Sequence, residues 1–468
     1  MRHKLNPSQQ INMKAKQLPS ADFFVRHIYV KKLFGHFDYD LDFRCDNEQA
    51  PSRLALLYGD NGSGKTTVLK LLFHLLSPVD NRGHKTVVAR TKFSRFEVQL
   101  ADGTTIVAER PQQRLTGDVE LRIEKKKKEI CRLPMKVSED GSVKMSGTPS
   151  EASVKKFLHA LGRLNVEILF MRDSRRLTSN LDAEQRADAS EVSMGGELLV
   201  EMTTEHMMRR LAPTRDASLA QAVENVTKFF REHALAASSK GEVDTNKIYD
   251  EIIKHLVLPG KPTIGYSASE FENYMARFES LSERNQNFVK VGLASPLLAK
   301  EMIGSLKKAR TEVRPVLINV LKPYVDSVQA RLDALEGIRH TIFQFADSLN
   351  SFIGNGKRLV FNLGNGLQIL GYDGDPLNPE DLSSGEKQLL AMFCHIICAR
   401  GRTAIFIIDE PELSLNVKWQ RRIVQSLLDC AVGSPVQFIM ASHSMEVLAK
   451  HRENVVQLVD KSKHEKAS

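Results

Sequence analysis

Eight consecutive residues, Gly59-Asp60-Asn61-Gly62-Ser63-Gly64-Lys65-Thr66, have the spacing G-x-x-x-x-G-K-[ST], which suits phosphate binding. Glycines let the chain turn successive N–H groups inward around phosphate oxygens, and a following helix adds the positive end of its dipole. Lys65 can reach the β- and γ-phosphates, and the Thr66 hydroxyl is of the kind that ligates Mg²⁺. Asn61, Ser63 and Thr67 complete the expected contacts. Far downstream, Asp409-Glu410 offers a metal ligand and a general base. Alone, such a pair after a strand is more often a helix N-cap; here Pro411 and then Glu412-Leu413-Ser414-Leu415-Asn416 follow it, which argues against a mere cap. Ser383-Ser384-Gly385 precedes an apolar helix; either serine can be its N-cap, and an exposed helix N-terminus also receives anions. His443 closes the group, within Ser442-His443-Ser444.

These residues need elements that bring their ends together. Arg53–Tyr58 reads as a buried strand running into the glycine loop, and Thr67–Phe73 as the helix leaving it. Thr403–Ile408 and Val436–Ala441 are apolar, β-branched runs of the kind found in central parallel strands. Each ends at a candidate residue, the first at Asp409 and the second just before Ser442. A mixed α/β fold follows.

Taken in order, the phosphate loop, Leu382-Ser383-Ser384-Gly385-Glu386, Asp409-Glu410-Pro411 and Ser442-His443-Ser444 resemble the ABC-type ATPases. Asp409-Glu-Pro-Glu-Leu-Ser-Leu-Asn416, followed by Trp419-Gln420, is similar to the soluble branch of that family. That branch includes RecF-like, SMC-like and OLD-like proteins and the stand-alone ATPases of bacterial antiphage systems. The resemblance implies a P-loop ABC-ATPase head with an antiparallel β subdomain and a helical insertion. It implies ATP and Mg²⁺ as cofactors, with Thr66 and Asp409 on the metal, Glu410 as catalytic base and His443 sensing the γ-phosphate. Ser383, Ser384 and Gly385 would contact ATP held by a second copy, and Ser414 would lie in the loop after the catalytic pair. A His usually stands where this chain has Asn416. No clear glutamine marks the loop expected after the strand at Val166–Leu169, where Phe170–Arg176 is basic instead.

A chain of 468 residues can bury full cores in about two or three domains. With 42% hydrophobic and 26% charged residues it has an ordinary globular composition. No apolar run approaches the roughly 18 residues needed to span a bilayer, so no membrane is expected. Residues 1–20 read as a polar tail lacking a signal peptide, and five irregularly spaced cysteines suit a reducing cytoplasm. Cys394, His395 and Cys398 sit on an apolar helix and suit packing better than zinc. A net charge of +9 permits nucleic-acid binding without requiring it. Lys125–Lys128 is either a solvated hairpin end or a contact for phosphates or an acidic partner.

Lys65 and Asp409 are 409 − 65 = 344 residues apart. The resemblance implies a spacing of only about a hundred, so the middle is an insertion. Residues 86–148 read as antiparallel strands with a hairpin at Asp102-Gly103. From 177 to 352 helical spacing dominates, with Phe271–Phe288 and Leu297–Leu349 as the long stretches. Pro315 and Pro323 should break or kink the last one. A compact helical domain or short antiparallel arms are expected. Arg358–Leu363 and Leu367–Leu370 then pair around Gly364-Asn365-Gly366. The domains expected are an N-terminal lobe over 21–176, a helical insertion over 177–352, a C-terminal lobe over 353–460 and a polar tail over 461–468.

The function expected is an ATPase that dimerises through shared nucleotide sites and switches between open and closed states. Only 25 residues follow His443 (468 − 443), too few for a nuclease domain. A separately encoded effector, a nuclease or toxin in an antiphage system of PARIS or Septu type, is therefore expected. The alternative is a DNA-binding repair ATPase of RecF or SMC type, whose binding would fall steeply with salt. Phe34 and His36 are candidates for base contacts.

Overall fold

A computed structural model describes residues 23–44, 51–79, 83–137, 143–145, 151–172, 177–179, 219–238, 268–297, 299–310, 314–354 and 356–461. The expected N-terminal tail, the basic end of Phe170–Arg176 at 173–176, much of the helical insertion and the last residues lie outside them. The chain divides into two compact units, Met1–Arg215 with Ala399–Ser468, and Asp216–Cys398.

The first unit holds two sheets. One is antiparallel in the order β2-β1-β4-β5-β6-β7-β8. Its strands are β1 (Val25–Leu33), β2 (Phe37–Asp42), β4 (Arg95–Leu100), β5 (Thr104–Glu109), β6 (Val119–Lys125), β7 (Lys128–Val137) and β8 (Val143–Met145). The Asp102-Gly103 hairpin forms as expected: Gly103 takes φ of 80°, and Asp102 Oδ1 accepts from Thr104 N at 2.8 Å. Lys125 and Lys128 face each other across a two-residue turn, with Lys126 and Lys127 both at positive φ. Lys125 Nζ pairs with Asp102 at 2.9 Å. The start of the segment differs from expectation, since His84–Arg90 forms a helix, α2. Its Val-Val-Ala run reads locally as a strand, but His84, Lys85, Val88 and Ala89 share one buried face against the preceding helix.

The second sheet has the order β10-β9-β14-β15-β3-β16. It comprises β3 (Leu54–Tyr58), β9 (Val166–Met171), β10 (Leu177–Ser179), β14 (Thr403–Asp409), β15 (Val436–Ala441) and β16 (Val455–Gln457). All these strands are parallel to their neighbours except β10. The strands β14 and β15 are buried almost throughout, which explains their unbroken apolar runs. Helix α1 (Lys65–Leu76) packs on β9, β14 and β15 and also on β5, so it faces both sheets. Accordingly nine of its residues are buried and its apolar surface wraps most of the cylinder. A third helix, α3 (Glu151–Gly162), covers β7.

The second unit is helical with a small sheet. Residues 219–238 form α4, followed by α5 (Ala268–Lys290), α6 (Ala299–Lys308) and α7 (Arg314–Asn350). Lys307 of α6 pairs back to Glu279, whereas Arg277 and Arg284 of α5 pair with Asp326 and Asp333 of α7. That progression makes α6 antiparallel to α5 and α7 parallel to it. Pro323 does not break α7, which continues through it. The missing N–H leaves the Asn319 carbonyl without its usual helix partner. Asn350 then bonds both backbone groups of Leu359, at 2.9 and 2.7 Å. This starts the antiparallel sheet β11 (Arg358–Asn362), β12 (Gly366–Leu370) and β13 (Pro376–Leu377). Helix α8 (Ser384–Cys398) follows and packs on α7. Among the described residues no helix is long and apolar enough to cross a membrane.

Candidate nucleotide site

The loop from Gly59 to Gly64 joins β3 to α1. Gly62 and Gly64 take φ of 80° and 89°. At Gly64 a Cβ would come within 2.8 Å of Leu33 Cδ2, so glycine is required both for the backbone and for the space. The Tyr39 hydroxyl donates to Ser63 O at 2.6 Å and pins the loop from β2. Burial pushes the Tyr39 phenol well above its usual range, so it remains a donor. Lys65 is buried and donates to Gly59 O at 2.7 Å and Asp60 O at 2.9 Å. Burial lowers its pKa, and the carboxylates of Glu410, Asp409 and Asp60 oppose that shift. Thus the ammonium lies within the field of the downstream pair. Asn61 and Gly62 are exposed, and Thr66 and Thr67 are half-buried in the first helical turn.

The strands β14, β15 and β3 are consecutive neighbours, so their C-terminal ends open on one edge of the sheet. Asp409 is buried at the end of β14. Glu410 follows with φ of 51°, its N–H donating to Ala441 O at 2.9 Å. Neither caps the next helix, α9 (Val417–Cys430); Asn416 does so, accepting from Trp419 N at 3.0 Å. Asn416 thus has a local capping role. Ser414 is exposed, also at positive φ. Beyond β15, Ser442 is buried and His443 exposed, and Ser444 caps the short helix α10 (Met445–Lys450). Lys65, Asp409, Glu410 and His443 therefore belong to one unit.

Ser383, Ser384 and Gly385 belong to the other unit. Ser383 is the residue that caps α8: its Oγ accepts from Glu386 N at 3.4 Å, and Glu386 Oε2 accepts from Ser383 N at 2.8 Å. Lys357 Nζ donates to the same Glu386 oxygen at 3.0 Å. Burial favours the neutral acid, but Lys357 and Ser383 outweigh it and hold the Glu386 carboxyl below its usual range. Ser383 and Ser384 are exposed and Gly385 is buried.

Several contributors were not singled out from sequence. Glu412 Oε1 accepts from Ser442 Oγ at 2.7 Å, His443 N at 2.9 Å and Ser444 N at 3.0 Å. Gln420 bonds Ser444 Oγ and Leu415 O, both at 2.9 Å. The second carboxylate in Asp-Glu-Pro-Glu was the available signal for Glu412; nothing in the sequence marked Tyr39 or Lys357. Phe34, at φ of 55° and 40% exposed, places its ring 3.3 Å from where a Gly64 Cβ would stand.

The residues present fit a nucleotide with a hard cation. Ser63 Oγ is buried with no partner among the described residues, beside amides that lack a side-chain cap or first-turn acid. Thr66 and Asp409 offer the oxygen donors that Mg²⁺ favours. No group of three or more His, Cys, Asp or Glu among the described residues could hold a metal alone. Mg²⁺ shared with phosphates needs only one or two protein ligands.

A family model described as "AAA domain, putative AbiEii toxin, Type IV TA system" matches residues 306–449, less than a third of the chain. That span includes Ser383–Gly385, Asp409, Glu410 and His443, while the phosphate loop lies outside it. None of the curated proteins matches. Among solved structures, the chain is similar to the Smc head domain with an extended coiled coil bound to the C-terminal domain of ScpA, from Pyrococcus furiosus. The identity is 13% and the TM-score 0.36, over 95% of this chain and 98% of that one. The SmcHead bound to the C-winged helix domain of ScpA is similar at 13% identity and a TM-score of 0.34, over 93% and 96%. Similarity of that degree bears on neither ligand nor partner.

Proposed function

We propose that this protein is an ATP-hydrolysing switch of the ABC type, whose nucleotide site is completed by a second copy of the chain. The observation that carries the reading is the strand order β14-β15-β3, which sets Asp409, Glu410, His443 and the Lys65 loop on one sheet edge. In this reading Lys65 and the amides from Gly59 to Thr67 hold the phosphates, and Thr66 and Asp409 hold Mg²⁺. Glu410 takes the proton of the attacking water, and His443 reports on the γ-phosphate. Ser383, Ser384 and Gly385 serve the partner's ATP. The Ser383 cap leaves two hydroxyls at an exposed helix N-terminus, which suits that role.

ATP contacts made only in the closed dimer would supply the free energy for switching. The output would be exerted through a separately encoded effector in antiphage defence; the family description itself names a putative toxin of a type IV toxin–antitoxin system. Two variants test the enzyme. Lys65→Ala should abolish ATP binding in a filter or fluorescence assay. Glu410→Gln should bind ATP normally and hydrolyse it about 100-fold more slowly or worse. Wild-type affinity in the first, or wild-type turnover in the second, would overturn the assignment. A nuclease or toxin co-purifying with Glu410→Gln in ATP would support the effector reading; DNA alone would count against it.

A further inference from the structure

His443 is placed by its backbone. Its imidazole is exposed and makes no hydrogen bond among the described residues. Its N–H, the next N–H and the preceding hydroxyl instead converge on one oxygen of Glu412. The segment Ser442–Ser444 thus forms a small anion cradle, filled by a side chain of the same protein. Glu412 sits two residues beyond Glu410 and is reached through Pro411, whose ring restricts the intervening backbone. Two turns, Leu413 N to Glu410 O and Leu415 N to Glu412 O, fold this segment tightly. A second tie runs from Glu410 N to Ala441 O. The turn carrying the base and the turn carrying the histidine are consequently fastened at two points, one of which is a buried carboxylate.

We propose that Glu412 is a positioning residue that locks the His443 turn to the Glu410 turn, so that the two move as one body. The proposal rests on the ATPase reading for its kinetic consequence and on geometry alone for the lock. Glu412 touches no reacting atom. Its removal should spare the phosphate loop, which is built from other segments. Glu412→Ala leaves the Ser442 hydroxyl and the His443 N–H without their acceptor and the Ser444 N–H with only Ser442 Oγ, at 3.1 Å, whereas Glu412→Gln retains one carbonyl oxygen for all three.

The test pairs hydrogen exchange with kinetics on the full chain. In the wild type the amides of His443 and Ser444 should be protected; Glu412→Ala should release His443 fully and Ser444 in part, since Ser442 Oγ still accepts from it, and Glu412→Gln should restore most of that protection. ATP affinity of Glu412→Ala should stay within about twofold of wild type while turnover falls roughly 10- to 100-fold. Adding His443→Ala to Glu412→Ala should change turnover by less than about twofold, because both substitutions remove the same placement. Glu412→Gln should keep most of the activity, which separates lost positioning from a failure to fold. Unchanged exchange in Glu412→Ala, or released amides with wild-type turnover, would overturn the proposal, as would fully additive losses in the double variant. If the wild type failed to hydrolyse ATP, the functional reading would fall, while the exchange experiment would still decide whether Glu412 holds the turn.

Discussion

Glu410 combines the carboxylate proposed as the base with a backbone that only glycine adopts freely, at φ of 51°. A side chain in that conformation costs on the order of 1 kcal/mol. It is held there by its own N–H bond to Ala441 O and by the Glu412 bonds on the far side of Pro411. Glu410 is half-buried, while Asp409 stays buried at the strand's end. Glu410→Gly should therefore be about 1 kcal/mol more stable than Glu410→Ala in urea titrations, although both lack the carboxylate. In a helix the order would be reversed. Equal midpoints would mean that the left-handed backbone is not retained in solution.

The elements carry two features that patterning could not announce. Gln437 is the second residue of β15 and is fully buried, with Oε1 accepting from Val25 N at 2.7 Å and Nε2 donating to Val25 O at 2.8 Å and Ser52 O at 3.0 Å. It stitches the parallel sheet to the start of the antiparallel one. Gln437→Leu would strand two buried backbone groups of Val25 and a half-buried one of Ser52, and should lower stability by roughly 2–3 kcal/mol in a denaturant titration. The second feature is the α8 cap. The Glu386 carboxyl is held below its usual range in the folded state, so the stability it contributes is present above the unfolded value of about 4.3 and is lost as pH falls through the lower folded one. Lys357→Met should flatten that acid limb relative to wild type, read as the unfolding midpoint between about pH 5 and 3. Identical acid limbs would show that Lys357 does not hold Glu386 down. The strands ending at Asp409 and Ala441 were legible in sequence because burial on both faces leaves continuous apolar runs, and the phosphate loop was legible because its backbone at Gly62 and Gly64 takes a positive φ that favours glycine. Gln437, Tyr39 and Lys357 were not, since their meaning lies in partners 412, 24 and 29 residues away. The helix α2 was misread because its valines favour a strand until α1 supplies a face to pack on.

At the scale of the whole molecule, the candidate residues fall in two separate units: the loop, the acidic pair and the histidine in one, Ser383–Gly385 in the other. If hydrolysis requires Ser383 from a second copy, damage to each half of the site should be separable between chains. Lys65→Ala lacks a working phosphate loop but keeps its serines; Ser383→Arg keeps the loop but presents a bulky cation to its partner's ATP. Each alone should be inactive as a homodimer. A mixed dimer contains one site with both halves intact and one with both damaged. An equal mixture that pairs at random is half mixed dimers, each with one of two sites working, so activity should recover to about a quarter of wild type. The recovery must depend on concentration and appear only after exchange of subunits. Recovery to that level would show that each nucleotide is served by two chains. No recovery, with heterodimers demonstrated by a tag on one variant, would mean that Ser383 acts within its own chain or not at all, and the shared site would have to be abandoned.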